Sequence, residues 1–213
     1  MSPKLISVLL VFLLSISITV CSSTVSANEQ NPAIDAYKKV LQNKAAFTTE
    51  DKTRKFYLNE FLEDGPYGIH PEYPFKLIRF TVLDMDGDKI PEVVLALAMG
   101  NADHAQFYEV LHYYNGEVYG YIFSNRMLMD LKKDGTSIGL GGVATHYYQK
   151  LRFTSDACAF DTLGYCDWGK YFINNKPATE ESFQYFVNEQ EGKSDAVWYE
   201  FTQENIENQL LNK

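Results

Sequence analysis

The sequence predicts an α+β domain: an antiparallel β-sheet built of consecutive hairpins, with N-terminal and C-terminal helices packed on it. Three observations carry this. Apolar residues at helical spacing are confined to the two ends of the ordered chain. Apolar and aromatic segments of strand length fill the middle, and Asn-Gly and Asp-Gly pairs separate two of their neighbours. The 213 residues show no linker and no internal repeat, so residues 28–213 are read as one α+β domain.

Residues 1–27 read as a signal peptide. Lys4 forms a short basic start, residues 5–20 are an apolar run, and Val25-Ser26-Ala27 offers small residues for cleavage before Asn28. The run is short for a bilayer crossing and carries Ser15, Ser17 and Thr19, so no membrane span is expected in the mature form. The segment admits a second outcome. Ile18-Thr19-Val20-Cys21 resembles a bacterial lipobox, which implies lipidation of Cys21 and a cell-surface lipoprotein, although Val20 stands where a small residue is usual.

A first helix is predicted over 31–41. Asn31 can cap it, Pro32 suits the first helical position, and Ile34, Tyr37, Val40 and Leu41 share a face. A second is predicted around 51–62, stopped by Gly65-Pro66, with an extended run from His70-Pro71 to Pro74. Residues 77–83 then alternate as a strand, with Ile78, Phe80 and Val82 on one face and Leu77, Thr81 and Leu83 on the other. Residues 93–99 are apolar throughout, as in a strand covered on both faces.

Two hairpins follow. Residues 107–114 and 117–123 flank Asn115-Gly116; residues 127–133 and 136–140 flank Asp134-Gly135. Counting outward from the second turn pairs Leu131 with Ile138 and Met129 with Leu140. Residues 147–153 and 169–173 are expected to pair, bridged by a loop that a Cys158–Cys166 disulfide closes. Thr179 caps a helix carrying Phe183, Phe186 and Val187. Residues 198–201 are extended, and Thr202 caps a last helix with Ile206, Leu210 and Leu211.

Chemistry concentrates between the strands of residues 75–99. Asp84, Asp86, Asp88 and Glu92 bring four carboxylates into nine residues at the edge of an apolar core. A hard divalent cation would relieve their repulsion. Calcium takes about six to eight oxygens in a tolerant geometry, and the three aspartates, the Ile90 carbonyl, a bidentate Glu92 and a water supply roughly that number. Magnesium suits the loop less, because it demands strict octahedral geometry. The alternative is a solvated Asp-Gly turn joining two strands.

The spacing is not that of an EF-hand: Lys89 takes the place of its glycine and Leu95 that of its last glutamate. The pattern D-x-D-G-D-x-x-P-E instead resembles the calcium hairpin of FG-GAP and VCBS repeats. It looks even more like the single copy found in uncharacterised secreted proteins and lipoproteins of Gram-positive bacteria. That resemblance implies a structural calcium ion held by Asp84, Asp86, Asp88 and Glu92. Lys89 departs from the usual glycine, and a positive φ there would cost on the order of 1 kcal/mol.

With 19 basic and 28 acidic residues, net charge −9, nucleic acid is excluded as a partner class, since it selects basic surfaces. No Gly-x-Ser-x-Gly, His-Glu-x-x-His or phosphate loop is present, and His70, His104, His112 and His146 lack metal-ligand spacing. The 15 Tyr, 14 Phe and 2 Trp serve either to pack the sheet or to bind sugars and proteins. The sequence therefore points to a secreted, non-catalytic binding or interaction domain whose partner is an extracellular protein or glycan. Two other functions stay open: an extracellular hydrolase with an acidic site, involving the loop or Asp103 and His104, and a small inhibitor or immunity protein.

Overall fold

The computed structural model describes residues 31–64, 74–154 and 157–211. Residues 1–27 with Cys21, Gly65-Pro66 and His70-Pro71 lie outside the described residues. The elements, in chain order, are α1 (Pro32–Leu41), β1 (Phe47–Thr49), β2 (Lys55–Phe56), α2 (Leu58–Asp64), β3 (Phe75–Leu83), β4 (Glu92–Met99), β5 (Phe107–Tyr114) and β6 (Glu117–Ser124). A 3-10 turn (Asn125–Met127) leads to β7 (Thr136–Leu140), β8 (Thr145–Phe153), β9 (Cys158–Asp167), β10 (Lys170–Ile173), β11 (Lys176–Ala178), α3 (Glu180–Glu191), β12 (Tyr199–Glu200) and α4 (Gln203–Leu211).

The α+β class holds, but the strands form two sheets rather than one. The first has order β12-β3-β4-β5-β6-β1-β2 and the second β11-β10-β9-β8-β7. β1 lies parallel to β6, a long-range pairing that a chain of local hairpins cannot produce. Helices α1 and α4 and the buried face of α2 cover one side of the first sheet, where Tyr37, Val40, Phe61, Ile206 and Leu210 meet Phe80, Leu95 and Leu111. The other side packs on the second sheet through Leu83, Val94, Val110, Leu128 and Leu151. β4 lies between these two cores, and Val93 through Ala98 are fully buried, as its unbroken apolar run predicted.

Local signals act as expected at several points. Asn31 accepts from the Ala33 N–H at the start of α1, and Thr179 accepts from the Ser182 N–H at the start of α3. The Asn115-Gly116 turn has φ of +49° and +87°, which the right-handed twist of the hairpin favours. α2, however, starts at Leu58, because residues 47–56 form the small β1–β2 pair ahead of it.

Other expectations are corrected. A β-bulge between Leu77 and Arg79 shifts the alternation of β3, so Leu77 joins Phe80 and Val82 in the helix-side core. Around Asp134-Gly135 the register differs by two residues: Met129, not Leu131, bridges Ile138, and β7 finds its ladder with β8. β8 pairs with β9, and β9 with β10, so the segment expected to be a disulfide loop is a strand.

That last point overturns the disulfide. Cys158 and Cys166 stand near the two ends of β9 and are free. Eight residues of strand at about 3.3 Å each separate their Cα atoms by roughly 26 Å, against the ~7 Å limit for a bridge. Gly164, which the sequence offers as the turn residue, serves close approach instead. A Cβ there would lie 2.6 Å from the Phe186 ring, so it is where α3 settles on β9. The chain reverses after β9 at Trp168-Gly169, with φ of +48° and +77°.

Candidate functional site

The β3–β4 hairpin carries the acidic loop at its tip. β3 delivers Asp84 and β4 begins at Glu92, so the loop is bounded by two strands buried in both cores. Asp84, Asp86 and Asp88 converge, with one carboxylate oxygen of each within 4.8 Å of the others. The backbone is shaped around them. The Gly87 and Lys89 N–H groups donate to the two oxygens of Asp84 at 2.7 and 3.0 Å, the Asp88 N–H to Asp86 at 3.1 Å, and the Ile90 N–H to Asp88 at 2.6 Å. Lys89 has φ +74°, the left-handed conformation that its place in the pattern implied.

Glu92 stands apart from this cluster. It is fully buried, its Oε2 accepts the Met85 N–H at 2.8 Å, and its Oε1 lies 3.0 Å from Nδ1 of buried His112. Burial raises its pKa to about 7, opposed by the hydrogen bonds from His112 and Met85. The His112 ring stacks on Phe153 at 4.2 Å, and the Phe153 N–H in turn donates to the Asp86 carboxylate. Gly135 touches the same place from the turn before β7, where a Cβ would collide with the Met85 carbonyl. The loop is thus braced by the second sheet as well as by its own hairpin.

Electrostatics favours a cation at the three aspartates. Asp86 is raised above the usual carboxylate range by burial first and by the charge of Asp88 as well. A bound cation would stabilise the ionised form of both. The donors are hard oxygens only, which suits calcium or magnesium rather than zinc or copper. Asp103 and His104 pair with each other at 3.0 Å on an exposed turn and are not members of the cluster.

One residue escaped the sequence reading. Glu109 is 2 % exposed on β5, and its Oε2 has no hydrogen-bond partner among the described residues. The signal was present: Phe107, Leu111 and Tyr113 share its alternation phase and pack in the helix-side core, so an acid interrupts an apolar row. No protein-family model matches the chain, and no curated protein or solved structure does either.

Proposed function

We propose that the chain is an exported, non-catalytic binding domain whose β3–β4 hairpin is closed over one structural calcium ion. The observation that carries this is the convergence of Asp84, Asp86 and Asp88 at the hairpin tip. The proposed ligands are these three carboxylates, the Ile90 carbonyl and water, with Glu92 joining only by releasing the Met85 N–H. Because Asp86 also receives the Phe153 N–H, an ion there would tie the hairpin to the second sheet and steady both cores. Export is argued from residues 1–27, with Cys21 lipidation as the anchored variant of the same reading. Among the described residues no helix is long and apolar enough to cross a membrane.

The partner proposed is an extracellular protein or glycan. The exposed aromatics support it: Trp168 is 80 % exposed in a left-handed turn position that bulky residues rarely occupy, and Tyr185 is 67 % exposed. The test is a thermal melt of the mature domain in calcium and in EDTA. At about 100 times the dissociation constant, calcium adds about 2.7 kcal/mol, or roughly 5 to 11 °C for a domain of this size. Asp86→Ala should abolish the difference. Equal melting of the natural domain in both solutions would reject the calcium loop.

A further inference from the structure

Glu109 occupies a position where the fold calls for a hydrocarbon. It pairs with Leu95 on β4 and Ile122 on β6, and all three face the helix-side core. Among the described residues its Oε2 has no hydrogen-bond partner, although the side chain is buried. Burying a polar group without a partner is destabilising, so a group that only packed would do better as leucine. The surroundings keep space for the carboxyl. A Cβ on Gly120 would collide with Glu109 Oε1 and lie 2.6 Å from the Phe47 ring.

Glu109 lines a cavity of about 50 Å³ together with Thr49, Glu50, Asp51, Phe61, Gly120 and Ile122. Glu50 and Asp51 are its exposed members. Asp51 stays ionised at about 2, because the hydroxyls of Thr49 and Thr53 and the Thr53 N–H all donate to it. Those bonds occupy its oxygens, which leaves few for a metal ion that needs six or more. Phe61 and Ile122 give apolar walls. Among the described residues the charged groups facing Glu109 are Glu50 and Asp51 from the β1 end; β4, β6 and α2 present Leu95, Ile122 and Phe61.

We propose that this cavity binds an alkylammonium group, the amine end of a lysine side chain or of a free alkylamine, with Glu109 as its anchor. The volume holds on the order of four water-sized groups, enough for an ammonium head and two or three methylenes and too little for a sugar ring. The head meets the Glu109 carboxylate, the methylenes lie against Phe61 and Ile122, and Glu50 and Asp51 give the mouth a negative potential. Burial, and the Glu50 charge after it, raise the Glu109 pKa well above the carboxylate range, which favours the protonated form of the empty site. Binding is then an exchange: Glu109–COOH and R–NH3⁺ give Glu109–COO⁻ paired with R–NH3⁺, and the proton leaves to solvent. This site does not depend on the calcium loop, and failure of calcium binding leaves it standing.

Titration calorimetry of the mature domain with n-butylamine, and separately with a peptide holding one lysine, tests the proposal. Affinity should rise with pH, because binding releases a proton, and the heat should vary with the ionisation enthalpy of the buffer. n-Butanol and the ε-acetylated peptide should not bind. Glu109→Gln should abolish binding with its melt retained; if that variant fails to fold, Glu109→Leu replaces it. Binding of the free amine assigns a small-molecule site, and binding of the peptide alone assigns a partner lysine. Binding of neither ligand, binding that survives both substitutions, or tighter binding of calcium at Glu109 than of the amine would overturn it.

Discussion

Replacing Glu109 by Leu should make the domain more stable, although it removes a polar group from a natural protein. Leucine has a similar volume and matches Leu95 and Ile122 beside it. Removing the unpartnered carboxyl returns about 2 kcal/mol, which for this chain length corresponds to roughly 4 to 8 °C in Tm. The difference must also depend on pH, with a definite sign. The folded pKa of Glu109 lies above its unfolded value, so the natural domain holds this contribution in full below about pH 4 and loses it as pH rises through the folded pKa. The slope is at most about 1.4 kcal/mol per pH unit, and the leucine variant lacks it. Urea melts of both proteins from acid to mildly alkaline pH give the two curves, and groups common to both cancel in the difference. A leucine variant less stable than the natural domain, or a gap independent of pH, would refute the reasoning. Either result would mean that Glu109 has a partner that stabilises its charge.

A close contact at Gly135 and the two thiols give the other expected outcomes. Gly135→Ala places a methyl against the Met85 carbonyl at φ +80°, and should destabilise the domain by about 1–3 kcal/mol in urea denaturation, with the loss reduced if the turn shifts. Reducing agent should leave the melt unchanged, and both Cys158 and Cys166 should titrate as free thiols after unfolding. In the folded domain Cys158 should react slowly, because burial pushes its thiol up to about 12.

The parts of the fold legible in the sequence are those set by neighbours along the chain. Asn31 and Thr179 announce their helices because a cap bonds within three residues. The Asn115-Gly116 turn and the twice-covered β4 are likewise local patterns. What stayed hidden depends on distant partners. The parallel β1–β6 pair joins residues far apart in sequence, and nothing in three residues of β1 specifies it. The bulge at Ile78 reverses the faces of half of β3 without a glycine or proline to mark it. Gly164 was ambiguous by nature, since a glycine allows either a turn or a close approach, and only the presence of α3 decides for the second.

The acidic loop was legible as a group of carboxylates on alternating positions, and three of the four do converge. Glu92 differs because its direction is fixed by His112 on β5, a residue twenty positions later. Glu109 was visible as a break in an apolar row, but its meaning needed the cavity and Gly120.

Calcium titration of the metal-free mature domain by calorimetry addresses the central claim most directly. One site with a dissociation constant of about 10⁻⁴ to 10⁻³ M is expected, abolished by Asp86→Ala. The absence of any heat at millimolar calcium would contradict it, and the β3–β4 tip would then be an acidic turn held by its own backbone hydrogen bonds.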